Sequence, residues 1–268
     1  MEELVTGQFF GLIKEKTSLE GLMLTDMEYT HDRVDWHYHE NPYLTFLLAG
    51  QVMEGNKKEI YRCTAGSLLF HNWQDAHYNI KPKGFTRGFQ VELDEAWFKK
   101  YDISTESFQG SLSLDHPQQK ALMYNLFKES KLNGSEHALV VDTLLVQLFD
   151  SIGKKEGKNN RSSPKWVVEI RDILHNTQMR TWTLLELATQ LKIHPVHLSR
   201  DFNKHFGSTL GEYIRTLRLE RALVLLTGQK TSLSTIAFEC GFSDQSHFIR
   251  SFKAVYKINP LAYKKLLD

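Results

Sequence analysis

Between Tyr43 and Glu92 the chain alternates short apolar runs with turn residues, a pattern that predicts consecutive β-strands. Turns are predicted at Ala49-Gly50 and at Glu54-Gly55-Asn56, because glycine and asparagine accept the backbone angles of tight turns. Regular spacing of this kind favours an antiparallel barrel or sandwich. The predicted strands are Tyr43–Leu48, Glu59–Cys63, Ser67–Phe70, His77–Ile80 and Phe85–Val91.

From Pro117 to Ile152 the apolar residues recur at helical spacing instead. The stripe with the best spacing consists of Leu139, Val140, Leu144, Leu148 and Ile152. Such a stripe either packs inside its own domain or forms the seam of a two-fold dimer, and the pattern leaves both interpretations open. A homodimer is the predicted assembly.

A segment without any apolar residue runs from Gly153 to Pro164 and is rich in Gly, Ser, Asn and charge. Such a segment has nothing to bury, so it predicts a solvated linker. The predicted organisation is a first domain at residues 1–152, a linker at 153–164 and a second domain at 165–268, in which every predicted element is helical.

Composition narrows the class of protein. The 268 residues are 41% hydrophobic and 24% charged, which is typical of a globular chain. No apolar run approaches the roughly 18 residues of a membrane span, and two cysteines make no disulfide framework. We therefore expect a cytoplasmic protein without a membrane partner.

Charge is divided unevenly between the two halves. Residues 1–164 hold 18 Lys and Arg against 23 Asp and Glu, whereas residues 165–268 hold 15 against 9. A basic half joined to an acidic half indicates that only the second half meets a polyanion.

The basic half also repeats itself. Leu187-Ala188 matches Ile236-Ala237 at an offset of 49, and Leu198-Ser-Arg-Asp-Phe202 matches Phe248-Ile-Arg-Ser-Phe252 at an offset of 50. Each copy predicts a short helix, a tight turn and a second helix with an outward arginine, which is what a helix-turn-helix requires. A helical bundle without a nucleic-acid role is the alternative, but two copies in a basic domain favour binding to double-stranded DNA.

The stretch from Trp182 to Tyr263 resembles the DNA-binding domain of AraC/XylS-type transcription regulators. The resemblance covers about a third of the chain, and its second half is the more specific. The matching segments are Leu184-Leu-Glu-Leu-Ala188, Leu198-Ser-Arg-Asp-Phe202, Arg218-Leu-Glu-Arg-Ala222 and Gly241-Phe-Ser-Asp-Gln-Ser-His-Phe-Ile-Arg-Ser-Phe-Lys253. One departure is Lys192, where the second copy has Gly241, and we expect it to shift the first turn slightly.

This resemblance implies that each recognition helix enters a major groove on one face of the duplex. Arginine grips guanine with two hydrogen bonds and glutamine does the same with adenine, which makes both types suitable readers of base edges. The residues predicted to reach bases are Val196, Ser199, Arg200 and Asn203 in the first copy and Gln245, Ser246, Ile249 and Arg250 in the second. The residues predicted to hold phosphates are Thr183, Ser234, Ser243 and Lys253.

The first half resembles a cupin barrel in two segments, Trp36 to Gly50 and Ala65 to His77. In cupins a His-x-His pair, a glutamate and a later histidine line the barrel, where they are able to hold a metal. Tyr43 stands at the usual glutamate position here, so no metal and no cofactor is expected, although three imidazoles remain able to bind Zn²⁺ or Fe²⁺.

A pocket for a sugar-like effector is predicted instead, because aromatic faces with polar tips suit stacking combined with hydrogen bonding. Its predicted ligand contacts are Trp36, His37, His39, Tyr43, His71 and His77.

Together these inferences predict an α+β multidomain chain. It consists of a cupin-like antiparallel β-barrel with helices, followed by an all-α double helix-turn-helix. The predicted function is a non-enzymatic, sequence-specific DNA-binding transcription regulator with a small-molecule effector. The alternatives are a metal-dependent cupin enzyme with a helical appendage, and a DNA-binding regulator without an effector.

Overall fold

Two units of different architecture make up the chain, and the boundary between them falls between Lys154 and Lys155. The structure is a computed structural model. It describes residues 1–105, 108, 110–132, 136–156, 164–176, 182–228 and 231–267.

The first unit contains eleven strands and three helices within the described residues. The strands are β1 (Glu2–Leu4), β2 (Leu12–Leu19), β3 (Leu22–Glu28), β4 (Arg33–His39), β5 (Tyr43–Ala49), β6 (Gln51–Asn56), β7 (Ile60–Thr64), β8 (Leu68–His71), β9 (His77–Ile80), β10 (Arg87–Leu93) and β11 (Ser111–Ser113). The helices are α1 (Glu95–Lys100), α2 (Pro117–Glu129) and α3 (His137–Glu156).

The strands form two sheets. One has five strands in the order β1-β4-β9-β6-β7, and the other has six in the order β11-β8-β5-β10-β3-β2. All pairings are antiparallel except that of β1 with β4. The antiparallel β-architecture predicted for the first half is confirmed.

Strand β5 is buried on both faces, which explains why its sequence is a continuous apolar run. Phe46 points to the helices, where its ring meets Tyr124 of α2 with centroids 4.6 Å apart. Leu47 points the other way, into a cluster between the sheets. The helices therefore cover one face of the six-stranded sheet, and the other face encloses the interior of the barrel.

The turn predicted at Glu54-Gly55-Asn56 is wrong, because all three residues belong to β6. The chain turns after Asn56, whose side-chain oxygen accepts hydrogen bonds from the backbone N–H groups of Lys58 and Glu59. A glycine is required at position 55 because the ring of Tyr78 lies close to its backbone. A Cβ atom there would lie 2.4 Å from that ring.

Helix α3 buries only part of the predicted stripe. Leu148 and Ile152 are buried, but Leu139 is 67% exposed and Leu144 is half-buried. The inward face consists of Val141, Leu145, Leu148, Phe149 and Ile152. At its end α3 continues through Glu156, so the first four residues of the predicted linker are helical, and residues 157–163 lie outside the described part.

The second unit is all-helical within the described residues, as predicted. Its helices are α4 (Lys165–Asn176), α5 (Leu184–Gln190), α6 (Pro195–Phe206), α7 (Leu210–Gly228), α8 (Leu233–Glu239), α9 (Gln245–Tyr256) and α10 (Pro260–Leu267). No helix in the described ranges of either unit is long and apolar enough to cross a membrane.

Local sequence explains where the helices of the first repeat begin. Thr183 caps α5 in a capping box with Glu186, whose carboxylate accepts from the Thr183 backbone at 2.8 Å. His194 caps α6, and Pro195 occupies the first helical position, where its missing N–H leaves no bond unmade. The phenylalanines of the repeat lie inward, since Phe202, Phe248 and Phe252 are fully buried.

Candidate functional site

The residues predicted to contact bases share one location in each repeat, the outward side of α6 or of α9. All are exposed except Ile249, which is half-buried. The residues predicted to hold phosphates, Thr183, Ser234, Ser243 and Lys253, are exposed as well. The two helix pairs thus present polar surfaces that are free of core packing, and DNA contact stays a prediction for each residue.

Some of these side chains already have partners. Ser234 of α8 donates to Oε1 of Gln245 at 2.5 Å, which ties the first helix of the second repeat to the start of α9. The Ser243 hydroxyl lies 3.1 Å from Oδ2 of Asp244, the residue that caps α9. These bonds fix the entry into α9.

The outward arginines of the repeats differ in how they are held. Arg200 donates from Nε to Oδ1 of Asp201 at 2.9 Å, and its Nη2 lies 3.1 Å from Nδ1 of His197. Arg250 makes no hydrogen bond or ion pair with any residue that the structure describes, and its charge helps to lower the pKa of the Asp244 carboxyl. The position that corresponds to Asp201 is Ser251, which is buried. The Arg250 guanidinium is therefore the less restrained of the two.

The turns of the two repeats are alike, so the expected shift caused by Lys192 is wrong. Lys192 has φ 55° and Gly241 has φ 75°, both in the left-handed region. The hydrogen bonds also correspond: Ile193 N–H donates to Ala188 at 3.0 Å and Phe242 N–H donates to Ala237 at 2.9 Å. The lysine adopts the conformation that the glycine adopts.

That conformation predicts opposite effects for two substitutions. Lys192→Gly should raise the free energy of unfolding by about 1 kcal/mol, because a side chain in the left-handed region costs that much. Gly241→Ala should lower it by about 1 kcal/mol, since its Cβ atom would lie in the same region and 3.3 Å from Nε of Arg218. Denaturant unfolding of the full chain measures both, and equal effects of the same sign would contradict the correspondence.

A cluster of histidines lies inside the barrel of the first unit. His37 and His39 come from β4, and His77 comes from β9, where it pairs with His37 across the sheet. All three are buried, and one ring nitrogen from each lies within 4.8 Å of the others. Burial lowers the pKa of His39 to about 2 and that of His77 to about 3, so these imidazoles are neutral at pH 7.

Backbone carbonyl groups set the tautomers of two of these rings. His37 Nδ1 lies 2.8 Å from the carbonyl oxygen of Asp35, and His77 Nδ1 lies 2.9 Å from that of Asp75. A carbonyl only accepts, so each Nδ1 carries the hydrogen and each Nε2 keeps its lone pair. The Tyr43 hydroxyl lies 2.9 Å from His77 Nε2 and must therefore donate to it.

Two predicted ligand contacts lie outside this cluster. Trp36 is 37% exposed and packs edge-on against Tyr78, because a bulge between Val34 and His37 changes the alternation of β4. His71 lies behind Tyr43, with the two rings stacked 4.3 Å apart.

His71 is itself surrounded by polar groups. Its Nδ1 lies 3.0 Å from the Ser111 hydroxyl, and its Nε2 lies 3.2 Å from Oε1 of Glu54 without making a hydrogen bond. Burial raises the pKa of Glu54 to about 8 and lowers that of His71, so both groups are neutral at pH 7. His71 thus belongs to a buried polar layer beside the cluster.

The cavity at the histidines is small, with a volume of about 20 Å³. Phe9 and Phe10 cover it: the Phe9 ring lies 4.8 Å from His39 and the Phe10 ring lies 5.1 Å from His37. Sequence analysis did not single out several of its lining residues, Phe9, Phe10, Met27, Tyr29, Thr45, Glu54, Asn79 and Gln90. No motif or spacing marks them, because they come from six separate segments of the chain.

The three imidazoles fit the metal that the cupin resemblance implies, and Tyr43 does not. Neutral imidazoles whose Nδ1–H groups bond to carbonyls are typical metal ligands. His39 contributes a buried Nδ1 that makes no hydrogen bond among the described residues. At Tyr43, burial and the neighbouring Glu54 carboxyl raise the pKa of the phenol, which keeps it a neutral donor and not an anionic ligand.

Comparisons with known proteins bear on both units. Residues 187–266 match the family model described as a helix-turn-helix domain. The chain is 26% identical over 240 residues to the HTH-type transcriptional activator RhaS of Pectobacterium atrosepticum, covering 84% of this chain and 85% of that protein. It is 21% identical over 244 residues to the HTH-type transcriptional activator RhaR of Mannheimia succiniciproducens, covering 85% and 86%.

Among solved structures, ToxT from Vibrio cholerae O395 is 14% identical, with a TM-score of 0.39, and the match covers 93% of this chain and 99% of that one. The matched helix-turn-helix residues contain both repeats seen in the structure, and the two activators align along most of both units. The chain therefore carries a helix-turn-helix domain in its second unit and is similar along most of its length to HTH-type transcriptional activators, in agreement with its resemblance to AraC/XylS-type regulators.

Proposed function

We propose that this protein is a cytoplasmic, non-enzymatic transcription regulator that binds double-stranded DNA as a homodimer and responds to a small molecule held in the barrel. The observation that carries the proposal is the pair of outward helices α6 and α9, which have equivalent turns and exposed polar faces. The relatives RhaS and RhaR are named transcriptional activators, which supports activation as the direction of control.

The basic charge of residues 165–268 supports the DNA partner. Each cationic side chain that contacts a phosphate releases a counterion, so binding weakens steeply as salt rises. This steep dependence of DNA affinity on salt distinguishes a DNA interface from the surface of an ordinary helical bundle, which binds no polyanion.

The test uses the full chain and a pool of random duplexes from which bound fragments are selected and sequenced. We expect one recurring sequence, with an affinity that falls about a hundredfold between 50 and 200 mM salt if about four phosphates are neutralised. A folded protein that retains no fragment, or that retains all sequences equally, would contradict sequence-specific binding.

The small cavity bears on the effector. Sites for drug-sized ligands occupy roughly 300–1,000 Å³, so a sugar-like effector would have to displace Phe9 and Phe10 from the histidines. The same requirement applies to a metal-dependent enzyme, because a substrate beside an ion would also have to displace Phe9 and Phe10 from a cavity of about 20 Å³. Measuring DNA affinity with and without candidate effectors separates a responsive regulator from one that has no effector.

A further inference from the structure

In each repeat a histidine stands three positions before the outward arginine, and the two histidines make different contacts. Nδ1 of His197 lies 3.1 Å from Nη2 of Arg200. Nδ1 of His247 lies 3.0 Å from the Ser243 hydroxyl instead. We propose that His197 is a positioning residue that keeps Arg200 from gripping a guanine, so that the two recognition helices specify different bases. The proposal rests on the proposed DNA-binding function and names a determinant of its specificity.

The argument begins with the donors of Arg200. An arginine recognises guanine with two parallel donors, one for O6 and one for N7. The planar guanidinium has two such pairs: Nε with Nη2 along its side, and Nη2 with Nη1 at its end. The Asp201 carboxylate occupies the side pair, with 2.9 Å from Nε to Oδ1 and 3.3 Å from Nη2 to Oδ2. The hydrogen left on Nη2 donates to His197, so neither pair is complete.

Of the two partners, His197 determines whether Arg200 has a complete pair of donors. If Asp201 were the only partner, the end pair would stay open, and the carboxylate would hold the guanidinium in a fixed orientation. A group that is already held in its binding conformation loses less entropy when it binds. Removal of the imidazole acceptor therefore converts Arg200 into a preorganised reader of guanine.

The cause of the difference between the repeats lies one position after each left-handed turn residue. Ile193 of the first repeat aligns with Ser243 of the second at the offset of 50. The side chain of Ile193 packs against the core of its helix pair and has no hydrogen-bonding group. Ser243 provides a hydroxyl to His247, so this imidazole has a partner other than the arginine. Arg250 keeps both of its donor pairs, because it makes no hydrogen bond within the described part of the chain.

The experiment selects bound fragments from a pool of random duplexes, with the full-length wild type and with its variants. Recognition helices in successive major grooves lie one helical turn apart, roughly 10 base pairs. The position next to Arg200 is therefore about one turn from the base pair at which Arg250→Ala loses its preference. We expect no guanine requirement there in the wild type. His197→Ala should gain one, with about fivefold to 150-fold discrimination against other bases, the worth of a bidentate arginine–guanine contact.

Three variants separate this effect from a general change in DNA affinity. His197→Asn keeps an acceptor near the place of Nδ1 and should select the wild-type sequence. The double variant with His197→Ala and Arg200→Ala should lose the gained guanine. His247→Ala is the matched control in the second repeat, and it should add no guanine preference because its imidazole bonds to Ser243. His197 is exposed, so its substitutions remove no core packing, and thermal unfolding verifies that each variant folds.

The proposal is overturned if the wild type already selects guanine at this position and Arg200→Ala removes that preference. It is also overturned if His197→Ala selects the wild-type sequence, or if the guanine persists in the double variant. Nitrogen NMR of the full chain tests the contact without DNA. The neutral His197 ring should carry its hydrogen on Nε2, because Nδ1 accepts from Arg200, and a hydrogen on Nδ1 would contradict the proposal. A protein that binds no DNA would contradict the proposed function and leave this NMR result standing.

Discussion

Arg250→Ala should weaken binding to the best DNA sequence by roughly 1–3 kcal/mol and remove the preference at one base pair. The reason is that the Arg250 side chain is exposed and is not held by a hydrogen bond or an ion pair to a described residue. Arg250 is exposed on α9 and makes no hydrogen bond or ion pair within the described part of the chain. A guanidinium in this state is able to place two donors against a guanine edge without first breaking a hydrogen bond.

Three variants should be compared on the selected sequence and on each of its single base-pair changes. Lys253→Ala should weaken all sequences alike, since a phosphate contact carries no sequence information. Arg200→Ala should cost less than Arg250→Ala, because Asp201 and His197 already hold the Arg200 guanidinium. Equal weakening of every sequence by Arg250→Ala would exclude its role in reading a base.

Leu148→Glu should unfold the first unit, with a loss of about 4 kcal/mol or more in the free energy of unfolding. Leu148 is 0% exposed, and a carboxylate introduced there has no partner in an apolar environment. Denaturant unfolding measures the loss, and a folded Leu148→Glu variant of wild-type stability would contradict the packing of α3.

Leu139→Glu on the same helix is the matched control, because its position is exposed. Its stability should stay within about 0.5 kcal/mol of the wild type. If the exposed start of α3 belongs to a dimer seam, this variant sediments as a monomer at concentrations where the wild type is dimeric. A variant that remains dimeric would place the seam elsewhere on the chain.

Most helices of the second unit are predictable from the sequence, because the residues that indicate them are close to one another in the chain. A capping box at Thr183, a proline at the first position of α6 and apolar residues at helical spacing act within a few residues of one another. The left-handed backbone at Lys192 is harder to predict from sequence, because a lysine does not by itself indicate a positive φ. Its alignment with Gly241 is the signal, since both positions have a left-handed backbone.

The strands and turns of the barrel are harder to predict from the sequence, because they depend on contacts between residues that are distant in the chain. Gly55 indicates a turn when it is considered alone, yet the ring of Tyr78 on a neighbouring strand is what requires a glycine there. Strand β2 gave no clear pattern, since it lies at the edge of its sheet and is mostly exposed.

The candidate ligand site was predictable only in part. His37 and His39 lie two residues apart and therefore face the same side of β4, so their meeting follows from the sequence. The place of Trp36 depends on a bulge, and the covering by Phe9 and Phe10 depends on packing, neither of which leaves a sequence pattern.

The pairing of β1 with β4 has a practical consequence for handling the protein. On the side of β4 that faces away from β9, its described partners are Glu2, Glu3 and Leu4 of β1. Deleting these three residues, or displacing them with a fused peptide, would leave β4 as an open edge with unpaired N–H and C=O groups, which invites strand exchange and aggregation between molecules.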